Sequence, residues 1–102
     1  MRPQDLERRS AEAASLLKVL SNENRLKILC HLIQGQKCVG ELDTLIGLSQ
    51  SALSQHLAVL RNEKLVKTRR EKQTIYYIVN GPETQAIMET LHRVFLNTDT
   101  SA

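Results

Sequence analysis

Tryptophan is absent from the chain, and one phenylalanine and two tyrosines are its only aromatic residues. Leu, Ile, Val and Ala must therefore fill the core, which favours helices packed on helices. Cysteine is scarce as well. Cys30 and Cys38 are too few for the disulfide framework of a small secreted domain, and a reducing compartment would favour free thiols. No apolar run approaches the ~18 residues of a membrane span, and no charged-then-apolar N-terminal segment resembles a signal peptide. The expectation is a cytoplasmic protein with no membrane partner. No nucleophile–base pairing, metal-ligand cluster or Gly-rich phosphate loop is visible, which argues against an enzyme and implies no cofactor. Repeats, linkers and low-complexity tracts are also missing. A chain of 102 residues has enough length for one modest core, so residues 1–102 read as a single domain.

What is present is unevenly placed charge. The net charge is +3, from 14 basic and 11 acidic side chains. Arg61, Lys64, Lys67, Arg69, Arg70 and Lys72, set against Glu63 and Glu71, give their own segment +4 and leave −1 for everything else. A basic patch on an otherwise balanced protein suits phosphate contact, with a solvated charged face as the bland alternative.

The apolar spacing predicts mainly helix with one small β-hairpin, in the order helix-helix-helix-helix-strand-strand-helix. Residues 5–20 carry Leu6, Ala13, Leu16, Leu17 and Leu20 at helical spacing. Asn22 is a natural N-cap for a second helix with a stripe of Leu26, Leu29, Cys30 and Ile33, ended by Gly35. A short third helix runs from Val39 to Ile46 with Val39, Leu42, Leu45 and Ile46 inward, and Gly47 stops it. Ser49 caps a fourth helix in which Leu53, Leu57 and Leu60 repeat, leaving Gln50, Ser51, Ser54 and Gln55 largely off the stripe. From Leu65 the composition turns β-branched and aromatic, with residues 69–73 as a polar hairpin tip. Pro82 opens a last helix with Ile87, Met88, Leu91, Val94 and Phe95 on a broad apolar face, and the polar tail 97–102 reads as a loose end.

Two helices joined by a Gly turn and followed by a basic hairpin make a winged helix-turn-helix, whose second helix reads double-stranded DNA. Glutamine amides can pair with adenine, and serine bonds to bases or phosphate. The candidate reading set is Ser49, Gln50, Ser51, Ser54, Gln55 and His56. Arg61, Lys67, Arg69, Arg70, Lys72 and Gln73 form the candidate wing and phosphate set. A winged module that binds protein instead would show an apolar outer face on the fourth helix, which these residues do not make. The wide apolar stripes of the terminal helices also point to a homodimer, with Leu6, Leu16, Leu17, Met88, Leu91, Val94 and Phe95 at the interface. Folding back on the chain's own core is the alternative.

The stretch VGEL…IGLSQSALSQHLAVLRNEKLVKTRREKQTIYY, preceded by LLKVLSNENRLKILCHL, resembles the ArsR/SmtB family of bacterial winged-helix repressors over roughly residues 14–96. The resemblance implies a homodimer on a palindromic operator, with half-sites about one duplex turn, roughly 34 Å, apart. It also implies repression until an inducer weakens binding. One family metal site resembles E-L-C-V-C-D-L, where this chain has QKCVGEL with only one of the two thiols, and His92 and Glu89 do not make the last-helix ligand pairs. A metal site is therefore not expected, and a metal-responsive repressor stays as an alternative.

SQSALSQHL, the R-x-x-x-T-I-Y-Y wing and LHRVF are similar to the sulfide- and redox-responsive subgroup typified by BigR, SqrR and HlyU. That likeness implies a sensing pair: a cysteine late in the second helix, here Cys30, and one just after the last helix's aromatic, where this chain has Leu96. A bridge needs two sulfurs with Cα atoms within about 7 Å. Three readings remain. Cys30 is a core residue in a constitutive DNA binder, or Cys38 replaces the missing partner, or Cys30 reacts alone. Cys38, before the third helix and beside Lys37, is the more reactive thiol on local grounds. The inducer stays unknown.

Overall fold

A computed structural model of the chain describes the backbone of residues 2–100 and the side chains of residues 2–96. Its elements are α1 (Pro3–Glu7), α2 (Ser10–Leu20), α3 (Glu23–Leu32), β1 (Lys37–Cys38), α4 (Val39–Ile46), α5 (Gln50–Asn62), β2 (Val66–Glu71), β3 (Thr74–Val79) and α6 (Pro82–Thr100). The strands form an antiparallel sheet in the order β1-β3-β2. Helix–turn–helix followed by hairpin is the winged helix-turn-helix architecture.

Local chemistry explains most boundaries. The Asn22 carboxamide oxygen accepts from the backbone N–H groups of Asn24 and Arg25, both at 3.0 Å, and so starts α3. Gly47, at φ 80, ends α4, its N–H reaching back to the Asp43 carbonyl at 2.9 Å. The Ser49 hydroxyl accepts from Ala52 N–H at 3.2 Å and starts α5. Pro82 stands at the start of α6, where a missing N–H costs nothing.

The core is built chiefly from Ile28, Leu29 and Leu32 of α3, Leu42 of α4, Leu53, Leu57 and Leu60 of α5, and Val66 of β2. Val19 and Leu20 close it from α2, and Met88 from α6.

Several expectations change. Residues 5–20 are two helices, because α1 buries nothing and no packing holds it in line with α2 across Arg8–Arg9. The buried row of α3 is Ile28, Leu29 and Leu32; of the expected stripe Leu29 is buried, Leu26 and Ile33 are half-buried against the core, and Cys30 lies exposed. Leu45 points outward. The hairpin turn is Lys72–Gln73 alone; Arg69, Arg70 and Glu71 belong to β2, where they pair with Tyr76, Ile75 and Thr74. Met88 is buried within the protomer and is not free for an interface. The backbone of the tail expected to be loose continues as α6 through Thr100, while Ser101 and Ala102 lie outside the described residues.

Candidate nucleic-acid interface

At about 100° per residue, Ser51 and Gln55 lie opposite the buried row of Leu53, Leu57 and Leu60, with Gln50 and Ser54 to one side and His56 to the other. Gln50, Ser51, Ser54 and Gln55 are exposed. Gln50, Ser54 and Gln55 have no side-chain hydrogen bond among the described residues, so their polar groups face solvent uncommitted. Ser49 differs. Its hydroxyl is engaged at the cap and lies 3.5 Å from the Ser51 hydroxyl, so its first task is to hold the helix start.

His56 is half-buried and meets a residue that sequence reasoning missed. Arg25 of α3 donates from Nε to the Val19 carbonyl at 2.7 Å and brings Nη1 within 3.5 Å of His56 Nδ1. An arginine offers only donors, so in this contact Nδ1 can only accept. His56 is thereby tied to α3, and only its Nε2 end is available to a ligand. No local signal marks this pair, since 31 residues separate the two.

On the wing, Lys67, Lys72, Gln73 and, at the end of α5, Arg61 are exposed. Arg70 donates from Nε to the Lys72 carbonyl at 3.1 Å and so braces the turn, where Lys72 stands at φ 58. Arg69 is engaged with Gln36, Glu71 and Tyr76. The basic set is spread along β2, its turn and the end of α5, and its two wing arginines already have intramolecular partners.

The two thiols occupy different places. Cys30 lines a largely apolar cavity of about 570 Å³ between α3 and α6, together with Leu26, Ile33, Leu91, His92, Phe95 and Leu96. Cys38 is not among the residues lining that cavity. It is the N-cap of α4, where the Glu41 carboxylate accepts from its backbone N–H at 3.0 Å. Among the described residues no group of three or more His, Cys, Asp or Glu side chains could hold a metal ion. Among them, too, no helix is long and apolar enough to cross a membrane.

That backbone bond, aided by the Cys38 side chain and by Lys37, holds the Glu41 carboxyl below its ordinary 4.5. A folded value below the unfolded one contributes stability that is complete above pH 4.5 and is lost as the pH falls through the lower, folded value. Glu41→Ala is therefore expected to lower the urea midpoint at pH 7, with the difference from wild type shrinking on acidification. A difference independent of pH would rule out the ionised cap.

Comparison with known proteins bears on what this geometry serves. Residues 22–68, from the α3 cap through the start of the wing, match the family model described as bacterial regulatory protein, ArsR family. The transcriptional activator HlyU of Vibrio cholerae serotype O1 is 50% identical over 95 residues, covering 93% of this chain and 88% of that protein. The transcriptional repressor BigR of Xylella fastidiosa superposes with a TM-score of 0.88 at 40% identity, covering 93% of this chain and 97% of the other. A homodimeric winged helix-turn-helix DNA-binding domain from Mycobacterium bovis gives a TM-score of 0.73 at 30% identity, over 84% of this chain and 83% of that one. With fold and sequence shared over nearly its whole length, the chain belongs to the ArsR family of bacterial DNA-binding transcriptional regulators.

Proposed function

We propose that the chain acts without enzymatic activity, in the cytoplasm, as a homodimeric repressor of a palindromic operator, each protomer placing α5 in a major groove. The carrying observation is that Gln50, Ser51, Ser54 and Gln55 form an exposed polar face directly backed by a fully buried leucine row and flanked by a basic wing. Gln55 and Gln50 suit adenine, the serines suit bases or phosphate, and His56 offers Nε2. Lys67, Lys72, Gln73, Arg61 and the turn-bracing Arg70 face the backbone. Leu6 and Leu17, with Val94, Phe95 and Leu96 of α6, are exposed apolar side chains that a partner protomer would cover, Leu16 and Leu91 lying half-buried beside them. The homodimeric neighbour supports a dimer. Its relatives include both an activator and a repressor; occlusion of a promoter needs only the DNA-binding surface described here, which favours repression.

For sensing, Cys30 beside Leu96 supports reaction of a single thiol over a bridge: oxidation by a peroxide to a sulfenic acid with release of water or alcohol, or capture of sulfane sulfur from a polysulfide, which leaves one sulfur shorter. Cys38 does not line that cavity, which favours Cys30 acting without it. A constitutive binder is the second reading, favoured by the same Leu96.

Selection from a randomised duplex pool tests the core claim. The wild-type protein is expected to enrich a palindrome, and Gln55→Ala to lose about 1–3 kcal/mol of discrimination at one position per half-site while other positions hold. Failure to enrich any sequence, or unaltered discrimination in Gln55→Ala, would overturn the assignment of α5.

A further inference from the structure

Arginine in the wing of a DNA-binding protein invites a phosphate contact, yet Arg69 is already occupied on three sides. It stands on β2 opposite Tyr76 of β3, which in turn stands opposite Cys38 of β1, so these three share one face across the whole sheet. Val66, Tyr77 and Val79, which pack on the core, belong to the other face. On the outer face the Arg69 guanidinium carbon lies 5.3 Å from the centre of the Tyr76 ring. Its Nε donates to the Gln36 carboxamide oxygen at 3.2 Å, and its Nη2 to the Glu71 carboxylate at 3.1 Å. One side chain thus starts on the edge strand, crosses the central strand and reaches the segment entering β1.

We propose that Arg69 is a positioning residue, a strap that fixes the wing to the helix-turn-helix, and not a phosphate contact. The seam it reinforces is short: β1 pairs with β3 through only Lys37↔Tyr77 and Cys38↔Tyr76. Past Cys38 the chain enters α4 at once, so whatever fixes β1 to the hairpin fixes the angle between the wing and the two DNA-reading helices. Glu71 already neutralises the Arg69 charge, which reduces what a phosphate gains from it, whereas stacking and the Gln36 bond need the planar, forked guanidinium. With the strap in place, wing and α5 meet the duplex as one preorganised surface. Without it, the outer face of the hairpin loses a tie, and each DNA complex must fix its angle.

The affinity part of the test rests on the DNA-binding reading above; a measurement on the free protein does not. Hydrogen exchange of the β2–β3 amides in the full chain is expected to quicken in Gln36→Ala and in Arg69→Lys, which keeps the charge but lacks the fork. On a labelled duplex carrying the selected site, each variant is expected to bind roughly tenfold more weakly, with the salt dependence of wild type. Adding Gln36→Ala to Arg69→Ala should weaken binding little beyond Arg69→Ala alone, which already removes the Gln36 bond. Unchanged exchange in both variants would overturn the strap. Wild-type affinity in Arg69→Lys, with Arg69→Ala alone lowering the salt slope by about 0.9, would overturn it as well and return Arg69 to the phosphates. If wild type bound no duplex, the DNA reading would fall while exchange still decided the strap.

Discussion

Phe95→Glu is expected to convert the protein to monomers and to lower operator affinity by about two to four orders of magnitude. Phe95 is 66% exposed on the last described turns of α6, beside Val94 at 51% and Leu96 at 48%, and Leu17 of α2 adds another apolar side chain at 58%. Isolated apolar residues on a surface are ordinary, but a concentration on the terminal helices of a small chain marks a contact face. The Cα radius of gyration of 15.1 Å exceeds the roughly 13 Å of a compact domain this long. A protomer completed by a second copy would be less compact in this way. A carboxylate forced into that interface would be desolvated without a partner, at a cost of several kcal/mol, and the two copies would separate. Each monomer would keep α5 and its wing, so weak half-site binding should survive; the lost factor is the effective concentration of the second half-site. Sedimentation for mass, with gel-shift titration on full and half operators, checks both parts. A dimeric Phe95→Glu protein would remove α6 from the interface, and a monomeric one binding the full operator like wild type would show that affinity does not depend on the second copy.

How far the sequence exposes this arrangement depends on the range of the interactions concerned. Asn22, Gly47, Ser49 and Pro82 mark their helix ends through backbone groups within a few residues, so their roles are legible without a fold. The outward face of α5 is legible too, because Leu53, Leu57 and Leu60 leave one choice of inward direction. On α3 that choice is wider: Leu26, Ile28, Leu29, Cys30, Leu32 and Ile33 spread over more than half of the helix circumference. Tertiary packing against α2, α4 and α5 selects Ile28, Leu29 and Leu32, leaving Cys30 on the side of α6. The two residues of β1 have no period to detect and form a strand only because β3 offers them an edge. Arg69 and His56 look like free ligands in sequence because Gln36 and Arg25, which occupy them, lie 33 and 31 residues away.

Leu57→Ala is expected to cost about 2–5 kcal/mol of folding stability, a large share of the roughly 5–15 kcal/mol that holds a domain of this size. Leu57 is 1% exposed and sits in the middle of the α5 row between Leu53 and Leu60, both fully buried, against a core shared with Ile28, Leu29 and Leu42. The space left by its removal cannot readily collapse, because α5 is fixed at both ends. Ser49 caps its start, and past its end the Leu65 N–H bonds back to the Leu60 carbonyl at 2.9 Å before Val66 enters the sheet. Leu57→Met, which keeps the volume, should cost less than about 1.5 kcal/mol. The same row also sets which side of α5 meets the duplex, so operator binding should weaken in Leu57→Ala even where the protein stays mostly folded, although residue 57 touches no base. Urea unfolding followed by circular dichroism measures the first effect, and titration well below the melting temperature the second. A cost under 1 kcal/mol would mean that α5 does not bury this row, and the outward placement of Ser51 and Gln55, which depends on it, would fail with it.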